Sequence, residues 1–192
     1  IARGKVRYVG EPVAAVAAET ESAAKLAARL VNVEYEELPA ILSPEAALAP
    51  GAAIVHEELG TYFKVFDTGS KANICSRTSL TQGDPSAWQR CDIVVEGTFT
   101  TQPQAHVSLE PCGALAEPDP SGRVTLWSAN QSVFRVQANV CESLGLPMAQ
   151  LRCLTPRVGA GFGNKMEPHI QPIAVKLALA TGRPVKLILT RE

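Results

Sequence analysis

The sequence predicts an α+β chain in two parts, a small unit of strands and one helix ahead of a larger portion that mixes sheet and helix. Short segments with period-two alternation of apolar residues are interleaved with segments in which apolar residues recur at helical spacing. Gly, Pro, Asn and Asp punctuate the joins between them. A hydrophobic content of 46% over 192 residues is enough to bury one sizeable core or two small ones.

Taken in order, "VRYV" and "PVAAVAAE" flank the turn-prone "GEP" and read as a hairpin. Thr20 is placed to cap a helix carrying Ala23, Ala24, Ala27 and Leu30 at helical spacing, and "VNVEYEEL" returns to period two with Val31, Val33 and Tyr35 on one face. A Pro- and Ala-rich stretch holds a short helical segment after Ser43, and polar residues dominate from Asp67 to Ala87. The composition shift places a domain boundary near residue 60, giving units 1–60 and 61–192. Beyond it, "CDIVVEGTFTTQ" is a strand by its β-branched content, and "GALAEPDPSGRVTLWSANQ" is two strands joined by turn residues at 118–122. Ser132 is a candidate cap for a helix carrying Val133, Val136, Val140 and Leu144, which Gly145 and Pro147 terminate. "QLRCLT" gives another strand. Pro168 suits the first turn of a helix carrying Ile170, Ile173, Ala174, Leu177 and Ala178, and Gly182 with Pro184 closes it before the strand "VKLIL". The last stretch therefore reads as a βαβ-like arrangement with a glycine-rich loop ahead of the helix.

Charge and cysteines exclude several function classes. A net charge of -1, with 18 Lys and Arg scattered along the chain, argues against nucleic acid as a partner. No apolar run approaches the roughly 20 residues of a membrane-spanning helix. The five cysteines, Cys75, Cys91, Cys112, Cys141 and Cys153, are odd in number and contain no CxxC, as expected of buried thiols in a reducing compartment, and the cytoplasm is the expected location. The chain starts without Met and stops directly after an apolar strand, and so reads as a piece of something longer.

The motif that demands chemistry is "RVGAGFGNKMEP", residues 157–168. A glycine loop between strand and helix brings backbone N–H groups and a positive helix end against an anion. Two common versions fail on spacing. Counted from Gly159, the sixth position of a dinucleotide fingerprint is Asn164, and Lys165 stands between Asn164 and Met166, where a P-loop requires Gly before and Ser or Thr after. Two readings remain open: a strained turn in which Gly159, Gly161 and Gly163 supply positive φ, or a ligand loop in which Phe162 forms an apolar wall. Gln131, at the end of a predicted strand, can present its amide to a ligand, cap the following helix or face water. Glu110, between Leu109 and Pro111, is assigned a structural role. His56, His106 and His169 are far apart, no HExxH or GxSxG occurs, and spacing alone names no general acid or base.

The blocks "VRYVGEPVAAVAAETESAAKLAARLVNVEYEELPAILSPEAAL", "QPQAHVSLEPCGALAEPDPSGRVTLWSANQS" and "RVGAGFGNK" together resemble, in the same order, the molybdenum-binding subunit of the xanthine oxidase family of molybdenum hydroxylases. The resemblance implies that residues 1–60 are an α/β hammerhead domain lacking its beginning, and that residues 61–192 are the first half of a molybdopterin-binding domain. It implies that Gln131 brings its amide to an oxygen ligand of molybdenum. Gly161, Phe162 and Gly163, at the centre of the matching 159–165 loop, would lie against the pterin and metal. Ala160 and Asn164 replace glycines frequent in the family. Met166 stands where xanthine-oxidising members carry a substrate-binding Glu, with Glu167 one residue out of register. The family's catalytic Glu lies beyond residue 192, so no catalytic residue is assigned here. The activity implied is oxidation of an N-heterocycle or aldehyde with water-derived oxygen. The cofactor implied is molybdenum on molybdopterin, in its cytosine dinucleotide form, without a direct protein ligand to the metal. The remainder of the subunit, and 2Fe-2S and FAD carried on other domains or subunits, are the implied partners. The alternative is a non-catalytic assembly or interaction module that retains the fold.

Overall fold

The structure is a computed structural model describing residues 1–62 and 68–191; Asp67, which opens the polar stretch, and Glu192 lie outside those residues. It divides into two compact units, one of Ile1–Asn32 with Gln102–Glu192 and one of Val33–Thr101.

The first unit is built on a four-stranded mixed sheet of order β3-β2-β1-β4. Its strands are β1 (Gly113–Pro118), β2 (Val124–Ser128), β3 (Leu151–Leu154) and β4 (Val185–Ile188). Strands β1 and β2 form an antiparallel hairpin with Ala114 opposite Ser128 and Pro118 opposite Val124. In the connecting turn, Asp119 Oδ1 accepts from the N–H groups of Ser121 and Arg123. Strand β3 runs parallel to β2, and β4 antiparallel to β1. Three strands therefore end at the same edge of the sheet at which β1 begins.

Alternation on these strands is what the sequence led one to expect. Ala114 and Ala116, Val124 and Leu126, and Leu151 and Cys153 point to a buried face. Helix α3 (Val133–Leu144) packs on β3 through Val136, Val140 and Cys141, and helix α4 (Gln171–Thr181) lies over β1 and β2 through Ala174, Val175 and Ala178. Each Leu or Val buried here contributes about 1.5–3 kcal/mol. Gly145 and Gly182 end the two helices in the left-handed conformation, where a Cβ would be penalised. Helix α3 starts after Ser132, but that side chain makes no capping bond.

Helix α4 begins at Gln171, three residues later than Pro168 suggested. The buried Gln171 side chain explains the start. Its Oε1 accepts from the N–H groups of His169 and Ile170, its Nε2 donates to Ser128 Oγ, and Pro172 takes the first helical turn. Helix α1 (Glu21–Arg29) is capped by Thr20, whose hydroxyl accepts from Ala23 N–H, as its sequence indicates. The hairpin expected around "GEP" forms no strand among the described residues; the stretch carries a turn, Glu11 N–H to Tyr8 O, and a bond from Ala2 N–H to Pro12 O.

In the second unit, helix α2 (Pro44–Leu48) is capped by Ser43, and Asn73 ties the following loop by donating to the carbonyls of Ala47 and Ala53 and accepting from Val55 N–H. The segments "VNVEYEEL" and "CDIVVEGTFTTQ" form no strand among the described residues, and Ile93, Val95 and Phe99 are exposed. Alternation selects a face, but a ladder also needs a neighbouring strand in register, and none is present for either segment among those residues.

Candidate functional site

The site forms where the strand directions bring three loops together. Glu110 comes just before β1, Gln131 three residues after β2, and the 157–165 loop directly after β3, so all three converge at one edge of the sheet. The carboxyl ends of parallel strands are where open sheets form ligand crevices.

Gln131 is gripped by the loop at three points. Its Oε1 accepts from Gly163 N–H at 3.0 Å and Lys165 N–H at 3.2 Å, and its own N–H donates to Lys165 O at 2.9 Å. Two donors on the oxygen fix the orientation of the carboxamide. Its Nε2 is turned away and meets no acceptor among the described residues. Gly161 makes this possible, because a Cβ there would stand 2.4 Å from Gln131 Oε1 and 2.7 Å from its Cδ.

The loop crosses positive φ at Ala160 (78°), Phe162 (53°) and Gly163 (94°). For Ala and Phe that conformation is strained. Asn164 N–H bonds to Gly161 O and Met166 N–H to Gly163 O, whereas the N–H groups of Ala160, Gly161 and Phe162 meet no acceptor among the described residues. Phe162 is 71% exposed, an apolar ring held outward beside those amides.

Glu110 holds the start of the loop. Its N–H donates to Gly159 O at 3.1 Å while its Oε2 accepts from Gly159 N–H at 3.0 Å. A Cβ on Gly159 would stand 2.9 Å from Glu110 Cβ, so this approach also needs glycine. The same Oε2 is ion-paired with Lys165 Nζ; the Lys165 side chain is 1% exposed and that of Glu110 35%. The hydrogen bond from Lys165 holds the Glu110 carboxyl below the usual glutamate range against the opposing effect of burial, with Gly159 N–H and the Lys165 charge acting in the same direction as that bond. Burial pushes the neighbouring Cys112 thiol up, an effect that the Lys165 charge partly offsets. The structural role assigned to Glu110 is thus exercised within the site itself.

His56, His169 and Glu167 have partners of their own. His169 Nε2 pairs with Asn164 O at 2.6 Å, and in the second unit His56 Nδ1 pairs with Tyr62 OH at 3.0 Å. Glu167 turns toward α3, where Arg135 and Asn139 bind its two oxygens. Among the described residues no cluster of three or more His, Cys, Asp or Glu could hold a metal ion. Sequence reasoning missed Lys165 as a buried cation, although a Lys in the otherwise uncharged 159–165 stretch was visible. It also missed Asn130, 3% exposed, whose Oδ1 has no hydrogen-bond donor among the described residues.

An apolar wall, three unbonded backbone N–H groups and an outward amide NH₂ form a donor-rich surface suited to an acceptor-rich, anionic ligand. Residues 66–192 match the molybdopterin cofactor-binding domain, and residues 1–39 the α/β hammerhead domain of aldehyde oxidase and xanthine dehydrogenase. The chain belongs to the xanthine oxidase family of molybdenum hydroxylases, within its molybdopterin-binding portion. It is 34% identical to the xanthine dehydrogenase molybdenum-binding subunit of Escherichia coli, over 97% of this chain and 23% of that protein. It is 31% identical to the nicotinate dehydrogenase large molybdopterin subunit of Eubacterium barkeri, over 98% of this chain and 41% of that protein. Quinoline 2-oxidoreductase from Pseudomonas putida 86 superposes with a TM-score of 0.72 at 31% identity, covering 91% of this chain and 21% of that one. The chain thus spans less than a quarter of the Escherichia relative and less than half of the Eubacterium one. No helix among the described residues is long and apolar enough to cross a membrane.

Proposed function

We propose that this chain supplies one wall of the cofactor site in a molybdenum hydroxylase, with Gln131, Gly161, Phe162 and Gly163 as the residues that meet the cofactor. The observation that carries the reading is the clamped carboxamide: Gly163 and Lys165 hold the Gln131 oxygen, so its NH₂ faces outward as a fixed donor. Gly161 contributes the absence of a side chain, Gly163 an N–H and a left-handed turn, and Phe162 an apolar ring that excludes water from the surface beside the amides. Fixed N–H dipoles stabilise negative charge on an acceptor without reorganising. When bound, the molybdenum cofactor supplies the redox chemistry that places a water-derived oxygen on carbon.

In this reading residues 1–60 serve as the hammerhead domain and residues 61–192 as the first half of the cofactor-binding domain. The pterin carries a cytosine dinucleotide, the substrate is an N-heterocycle or an aldehyde, and the enzyme works in the cytoplasm. The rest of the subunit completes the site, and 2Fe-2S and FAD on other domains or subunits accept the electrons. This division of labour is supported by the partial span of the chain along relatives whose names describe subunits. The experiment is Gln131→Ala in the full-length protein purified with its partner chains. A fall in turnover or in molybdenum occupancy supports the reading; wild-type values for both would remove Gln131 from the site. Preparations free of molybdenum with every partner chain present would favour the non-catalytic module.

A further inference from the structure

We propose that Lys165 and Glu110 are positioning residues for Gln131, a charged joint at the base of the loop that aims the Gln131 amide at the cofactor. The inference rests on the cofactor-binding reading above. Lys165 joins the two halves of the site. Its main chain holds Gln131 from both sides, by N–H to Gln131 Oε1 and by carbonyl to Gln131 N–H. Its side chain runs inward to the Glu110 carboxylate, whose same oxygen also accepts from Gly159 N–H. One carboxylate oxygen therefore fastens both ends of the 159–165 loop. The bonds of Asn164 and Met166 N–H run to carbonyls of the loop itself, and besides Gln131 and the ion pair the distal end is tied through Asn164, whose carbonyl meets His169 Nε2 and whose Nδ2 donates weakly to Cys112 Sγ at 3.8 Å. Without the ion pair, the main chain at 163–165 loses its charged tie to the stretch before β1, and with it part of what fixes the distance between its donors and the start of α3.

The burial asymmetry says which half to remove. Truncating Glu110 strands an ammonium that is 1% exposed, which disrupts packing in general. Replacing Lys165 by Met keeps the buried stem and leaves a carboxylate that is 35% exposed, where water reaches it. Lys165→Met is therefore the cleaner probe. In the full-length enzyme, an unanchored Gln131 lowers kcat by about 10²-fold, the scale of a roughly 1 Å misplacement, with KM little changed. The Gln131→Ala, Lys165→Met double variant falls no further than Gln131→Ala alone. The Mo(V) EPR signal of Lys165→Met should shift as that of Gln131→Ala does, and its crystal structure should show Gln131 Oε1 off the Gly163 and Lys165 amides. Multiplying kinetic effects, or a crystal structure with both bonds intact, overturns the proposal. If the wild-type protein carries no molybdenum, the cofactor reading fails, and the crystal structure still decides whether Lys165 positions Gln131. Lys165→Leu, which also removes the ammonium while filling the buried stem position, replaces Lys165→Met if that variant does not accumulate, with the same displacement expected and an undisturbed Gln131 refuting.

Discussion

Gly161→Ala tests the packing of the site most directly, because the space it fills is already occupied. The new Cβ would stand 2.4 Å from Gln131 Oε1, 2.7 Å from Cδ and 3.1 Å from Cγ. Gly161 is not among the positive-φ positions, so the backbone accepts Ala and the perturbation is steric. To clear even a 3.0 Å contact the carboxamide must retreat by about 0.6 Å, still inside ordinary van der Waals separation. A retreat away from the loop takes the longer of its two bonds, 3.2 Å to Lys165 N–H, out of hydrogen-bond range. With net contributions of about 1 kcal/mol for each bond, the variant loses about 1–2 kcal/mol of stability. Turnover of the full-length enzyme falls by about 10²-fold. Denaturant unfolding and initial rates read the two effects. In a Gln131→Ala background the obstructing atoms are gone, so adding Gly161→Ala is close to neutral and the cycle shows a coupling of about 1–2 kcal/mol. Gly163→Ala is the control: its Cβ would find only His106 Nε2 at 4.0 Å, but φ of 94° costs about 1–2 kcal/mol whatever stands at 131. Additive effects of Gly161→Ala and Gln131→Ala would refute the claim that the two residues share one space.

Three other outcomes follow from the same geometry. The Glu110 carboxyl is held below its usual range, so the stability it adds is complete above the unfolded glutamate pKa of about 4.3 and is lost as pH falls through the lower folded value. Acid unfolding of Glu110→Gln should accordingly be less steep than that of wild type over this window, and superimposable curves would contradict the linkage. Leu126→Ala empties a fully buried position between the sheet and its helices and should lower stability by about 3 kcal/mol, seen as a lower denaturant midpoint at unchanged slope. The Cys153 thiol is pushed up to about 11 by burial, so it should stay unalkylated at pH 8 in the native protein and label only on unfolding; rapid native labelling would contradict its placement in the core.

Much of the first unit was legible because its signals are local. The period of three and four in Val133, Val136 and Val140, closed by Gly145, defines α3 without outside help, and the turn chemistry at Asp119 and Gly122 specifies the β1–β2 hairpin. Val95 and Phe99 carry strand periodicity as clear as that of β2, but pairing is a non-local property, and no neighbouring strand is present for them among the described residues. Within the site, the importance of Gly161 and Phe162 could be suspected from a glycine loop that contains an aromatic residue. The grip on Gln131 could not, since it depends on two backbone amides more than thirty positions away. Lys165 was the least visible. Its residue type signals a solvated surface, and only the Glu110 carboxylate on a distant stretch offsets the cost of its burial.

The spacing of these contacts also sets a schedule. Glu110 is 49 positions from Gly159 and 55 from Lys165, whereas the β1–β2 hairpin closes within a handful of residues. Local structure forms ahead of contacts that must first close a long loop, because closing it costs chain entropy before any contact is made. Residues 113–144, which form the hairpin and α3, precede residues 159–165 in the chain, so Gln131 is made before the loop that holds its amide. The receptor surface therefore depends on contacts that close late, and a ligand of the loop is received by a chain in which stretches some fifty positions apart have already been brought together.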